Sequence, residues 1–135
     1  MTILQVRTAL ETQLATVSSV PAIRYENVVY RPTPGTPWLS CTVMTARVRT
    51  AGVGVGIPDR ADGVMILDLF YPPNAGSQAA ETMMGNIRTA FPKGTILTAS
   101  GQSVHIAYCE PAPQPGEDPD WYMRTVYIGW YAFGV

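Results

Sequence analysis

The chain has 135 residues, with nine Lys and Arg against ten Asp and Glu, a size for one domain over 1–135 with one core and a balance that excludes the basic footprint of a nucleic-acid binder. Charged residues make up 14%, against roughly 25% in an average domain; so thin a charge favours a surface partly covered by other subunits, because interface cores are depleted of Lys, Glu and Asp, over a neutral monomer coated with Thr, Ser, Gln and Asn. The most apolar stretch, GVMILDLFYPP, carries Asp68 and is too short to cross a bilayer. At the N-terminal end, Ile3, Val6, Leu10, Leu14 and Val17 recur at steps of three and four. That spacing predicts an amphipathic helix with Thr2 as N-cap and Pro21 as its stop. A signal peptide is not expected, since no charged segment precedes an apolar one.

Residues Ile23 to Tyr30 have strand composition and give way to Arg31-Pro-Thr-Pro-Gly-Thr-Pro37, whose prolines cannot donate to a ladder. Trp38 to Arg49 reads as a strand with Leu39, Cys41 and Val43 on one face and a polar far end at Thr45, Arg47 and Arg49. Val64 to Tyr71 is apolar at nearly every position, which predicts a central strand buried on both faces. Between these two strands lies TAGVGVGIPDR, so a long β-hairpin with a flexible Gly-rich tip is expected. Pro72 to Gly76 is a corner, and Ser77 caps a second helix whose stripe is Ala80, Met83, Met84, Ile87 and Phe91. Two short strands, Thr95 to Ala99 and Ser103 to Cys109, flank a Ser-Gly turn. Glu110 to Asp120 holds four prolines and reads as an exposed loop, and Trp121 to Phe133 closes the chain as an aromatic strand. The order predicts an α+β fold: an antiparallel or mixed sheet with two helices packed on it.

No catalytic or metal constellation emerges. Gly52, Gly54 and Gly56 lie between strands, without the lysine or helix start that a phosphate loop needs. His105 is the only histidine; Ser40 or Ser103 with His105 and Asp68 makes a triad on paper, unsupported by a GxSxG elbow. Asp59 and Asp62 lack a third ligand. No enzyme, cofactor or membrane contact is expected. Cys41 and Cys109 lack CxxC spacing and are read as two buried thiols of a reducing compartment. The closing WYMRTVYIGWYAF has one arginine, Arg124, too little charge for a base-stacking groove, and is read as core and interface.

Three stretches, ENVVYRPTPGTPWLSCTV, LDLFYPPNAGSQAAETMMGNIRTAF and WYMRTVYIGWYAF, together with the leading helix, resemble the tail terminator proteins of long, non-contractile-tailed bacteriophages. Asn27, Tyr30, Pro32, Gly35, Pro37, Trp38 and Leu39 match one family pattern. Gly63, Tyr71, Pro72, Asn74, Gly76 and Phe91 match a second. The segment TAGVGVGIPDRAD departs from the more polar segment of relatives, and no loop contact is carried over. The resemblance implies a structural virion protein at the head–tail junction, assembled in the host cytoplasm. It would form a hexameric ring on the head-proximal end of the tail tube. The ring stops tube growth and receives the head-completion or connector protein, so the implied partners are the chain itself, the tube protein and that connector.

A ring uses one heterologous contact repeated around a circle. The subunit and partner contacts are placed at Arg47, Arg49, Val53, Gly54, Val55, Ile57 and Arg60 on the hairpin, with Trp121, Tyr122 and Arg124 on the closing strand. Two structural alternatives stay open, a head–tail joining protein and a tube-like protein that stacks without limit. From other classes come a ligand-binding module built on Met83, Met84 and the C-terminal aromatics, and a hydrolase built on His105.

Overall fold

The structure is a computed structural model that describes residues 3–50, 52–116 and 118–134. The first helix, α1, spans Ile3–Ala15 and buries Val6, Ala9, Leu10 and Leu14. It closes before the proline: Thr16 and Val17 donate backbone bonds to Gln13 and Leu14 in a tightening turn, and Val17 stays buried from that turn. Thr2, the expected N-cap, lies outside the described residues. Strand β1 covers only Ala22–Arg24 and runs parallel to the start of β2 (Trp38–Thr50). It does not continue to Tyr30 as expected, because Asn27 turns the chain with φ +57°, a backbone that Asn tolerates.

Side chains replace the missing strand. The Glu26 carboxylate accepts the Val43 N–H at 2.6 Å. Arg7 donates to the Val43 carbonyl at 3.1 Å and to Glu26 at 2.8 Å. The edge of β2 is therefore closed at Val43 by an ion pair rather than by backbone. The hydrogen bond from Arg7 holds the Glu26 carboxyl below the usual glutamate range, and the Val43 N–H adds to it. A depressed carboxyl stabilises the fold above its unfolded pKa, and that contribution disappears as pH falls through the folded value. Glu26→Gln is therefore expected to melt below the wild type near neutral pH, with the gap closing in acid; thermal denaturation across pH checks this.

Strand β3 spans Asp59–Tyr71 and pairs antiparallel with β2 from Trp38↔Phe70 to Thr50↔Asp59, with a bulge between Thr45 and Arg47. It starts five residues before the expected Val64, since Arg60 and Asp62 are held on both sides, by β2 and by β6 (Tyr122–Phe133). Helix α2 spans Gln78–Ala90 and buries Ala80, Met83 and Ile87, with Met84 half-buried against the core. Ser77 stands at its N-cap but makes no side-chain capping bond. Strands β4 (Ile96–Ala99) and β5 (Gln102–Pro111) meet at Ser100-Gly101, both with positive φ, the geometry of a two-residue hairpin turn. β5 runs two residues past Cys109, into the expected loop, because Glu110 and Pro111 pair with β6. A bridge between Gly116 and Met123 ties down the stretch beyond.

The six strands form one mixed sheet in the order β1-β2-β3-β6-β5-β4, so the domain is α+β. Alternation along the strands puts Leu39, Cys41 and Val43 of β2 with Met65, Leu67 and Leu69 of β3 and Val126, Ile128 and Trp130 of β6 in one core with both helices. The other face corrects the reading of β3 as buried on both sides: Val64, Ile66 and Asp68 are half-buried, and Met44, Tyr108 and Tyr127 beside them are exposed. Two helices of 13 residues each suffice for one face only. The thiols also differ. Cys41 is buried and desolvation pushes it up to about 12; Cys109 is only half-buried, and desolvation pushes it up to about 11.

Candidate functional site

The uncovered face carries a charged and aromatic cluster toward the Thr50↔Asp59 end of the β2–β3 ladder. The register sets Arg47 opposite Asp62 and Arg49 opposite Arg60. Asp62 receives Arg60 at 2.7 Å and Arg49 at 3.4 Å. The Arg60 guanidinium lies 4.2 Å from the centroid of the Tyr131 ring, a cation–π distance. Tyr131 stacks on His105 at 4.7 Å, with Phe133 edge-on to both. Arg47 forms no ion pair among the described residues. The arrangement fixes Arg60, shares Asp62 with the half-exposed Arg49 and leaves the Arg47 guanidinium in solvent, where it suits a polar contact.

Past Thr50 and Asp59 the chain crosses over through Gly52–Pro58. Gly54 and Gly56 adopt φ +121° and +91°, values that L side chains rarely tolerate. Ile57 folds back over Gly52, where an added Cβ would come within 2.8 Å of it. Val53 and Val55 project outward, 95% and 108% exposed. Both apolar side chains stand in solvent at the end of the paired β2–β3 ribbon.

Trp121, Tyr122 and Arg124 are not brought to this cluster. Tyr122 pairs with Tyr71, whereas Arg60 pairs with Phe133, so the two groups of expected contact residues stand at opposite ends of β3 and β6. At the far end Trp38 stacks on Phe70 at 4.1 Å, with Trp121 edge-on at 6.2 Å and Tyr30 tilted against it at 5.3 Å. Arg124 is half-buried and donates to the Ala112 carbonyl at 3.3 Å, a loop-fastening bond. Nearby, between α2 and β1, lies a groove of about 750 Å³ lined by Pro21, Ala22, Pro37, Tyr71, Ala79 and Met83, among others.

The paper triad does not assemble. Asp68 accepts from the Thr125 hydroxyl at 2.8 Å, while His105 lies beside Tyr131, six residues further along β6. Ser40 is met by Arg24 at 3.5 Å. Among the described residues no three of His, Cys, Asp and Glu gather as metal ligands. Met83 is a core residue, and Met84 lines a crevice of about 210 Å³ with Cys109, Pro111 and Val126. The far-end groove and the partners of Arg60 were missing from the sequence reading. Arg60 and Asp62, and likewise Tyr131 and Phe133, alternate at the strand period, but their meeting depends on the β3–β6 register.

A family model described as phage tail terminator protein matches residues 5–130. One solved chain is similar in fold with a TM-score of 0.73, at 20% identity, covering 100% of this chain and 97% of its own. A chain from the virion of a native gene transfer agent particle is similar with a TM-score of 0.68, at 17% identity, covering 97% of this chain and 95% of its own. No curated protein matches the chain.

Proposed function

Because the chain belongs to the phage tail terminator protein family, we propose that it is a structural component of the virion that closes the head-proximal end of the tail tube as a ring of six copies. The match over residues 5–130 carries this reading. The fold shared with a chain of the gene transfer agent virion supports it, and so does the low charged fraction of 14%. The ring face toward the tube stops further addition of tube subunits, and the opposite face receives the head-completion protein. The partner-facing residues are Arg47, Arg49, Val53, Gly54, Val55, Ile57 and Arg60 at one end of the sheet, with Trp121, Tyr122 and Arg124 at the other. Two dissimilar ends are what a heterologous ring contact uses. Gly52–Pro58 is mobile in the free subunit and becomes fixed on assembly, since ordering each residue costs about 1–2 kcal/mol and burying each Val or Ile returns about 1.5–3 kcal/mol.

The direct test adds the purified chain to tube protein that is polymerising on its initiator. Tubes are expected to stop growing when it is added, with bound chain at one end only when viewed by electron microscopy. Tubes that continue to lengthen, or chain incorporated along their walls, would contradict the capping role and favour a tube-like protein.

A further inference from the structure

We propose that the ring contact is a tip-into-groove contact: the Gly52–Pro58 tip of one copy seats in the groove between α2 and β1 of the next. The proposal rests on the self-assembly reading above and specifies its interface.

Both surfaces lack charge. In a molecule with 19 ionisable Asp, Glu, Lys and Arg residues, counted as 9 plus 10, none falls within Gly52–Pro58 and none lines the groove. Exposed ground without charge on two separate surfaces is complementary in the sense that interface cores are. The tip offers Val53 and Val55, both fully in solvent; the groove offers Pro21, Ala22, Pro37 and Ala79 as an apolar lining. At its rim Gln78 and Thr82 are exposed and polar, able to bond the tip's peptide groups, which no strand pairs.

Geometry makes the occupant another copy. The tip lies at the Thr50↔Asp59 end of the β2–β3 ladder, and the groove at its Trp38↔Phe70 end, beside Pro37 and Tyr71. The twelve register pairs between them span about 40 Å at the usual rise of a strand. β3 is held on both sides along its length, so a tip cannot bend back into its own groove. A contact joining opposite ends of identical molecules propagates from copy to copy and closes into a ring when its rotation permits.

The test uses Val55→Asp in the tip and Thr82→Glu in the groove, both at exposed positions, with Val53→Asp and Ala79→Glu as second members; circular dichroism confirms folding. Sedimentation is run under the conditions in which the wild-type chain assembles, with tail tubes present if these are needed. Each variant alone is expected to associate at least tenfold more weakly than the wild type. Mixed in equal amounts, one tip variant and one groove variant share a single intact contact and are expected to give particles of two copies and no larger. Wild-type assembly by either class, or a mixture that behaves like its separate parts, overturns the tip-into-groove contact while leaving the ring. A wild-type chain that stays monomeric at every concentration, and beside tail tubes, overturns the ring reading and the contact with it.

Discussion

Gly63→Ala is expected to destabilise the domain by about 3 kcal/mol or more, beyond the ordinary range for overpacking a core. A Cβ at this position would sit 2.2 Å from the Met44 carbonyl oxygen and 2.3 Å from the Trp130 ring. Neither neighbour can yield cheaply. Met44 is fixed by pairing with Val64 next to the bulge in β2, and Trp130 is buried. The backbone of Gly63 itself imposes no such demand, because its φ is not in the left-handed region. Without the collision, alanine would stabilise slightly by restricting the unfolded chain. Gly85 gives the control: it lies inside α2 with nothing within 4 Å of an added Cβ. Gly85→Ala is expected to stabilise by about 0.5–1 kcal/mol through helix propensity. Urea denaturation of the two variants should move in opposite directions.

Trp130→Ala is expected to cost about 3–5 kcal/mol, the range for emptying a large aromatic site. The indole crosses the middle of the sheet's helix-covered face, where β6 pairs with Gly63 of β3 and Ile106 of β5. Its N–H finds no hydrogen-bond partner among the described residues, so the loss is one of volume and contact rather than of a polar bond. The two sites share one space and should couple. In a Trp130→Leu background, Gly63→Ala should cost less than half of its value in the wild type, as measured by equilibrium unfolding of the double variant. Additive losses would show that the close approach of Gly63 to Trp130 is not the source of its intolerance.

This pair shows how far the sequence was legible. Helix stripes were readable because Val6, Leu10 and Leu14, and Ala80, Met83 and Ile87, recur at the helical period, and all of them are buried. Strands that face the core showed themselves by composition. Register did not: nothing local shows that Gly63 opposes Trp130, or that Arg60 finds Tyr131, since strand pairing is a long-range choice. Val28, Val29 and Tyr30 have strand composition yet lie outside β1, because the bonds that close β2 come from Arg7 and Glu26. The apolar run of β3 predicts cover on both sides, but its composition does not say how many helices there are to supply it, and Val64, Ile66 and Asp68 stay half-buried. The expected contact residues of the hairpin and of the closing strand fall at two ends of the sheet. The groove at the Trp38↔Phe70 end is not legible locally, as it is assembled from residues 19–22, 36–37 and 71–86.

The central claim is that copies of this chain cover one another in a closed circle, tip to groove. Electron microscopy of the chain bound at tail-tube ends tests it most directly. The expected image is a single ring of six copies in which each Gly52–Pro58 tip enters the α2–β1 groove of its neighbour. A lone subunit at the tube end, or a ring whose tips point into open solvent with the grooves empty, would contradict it.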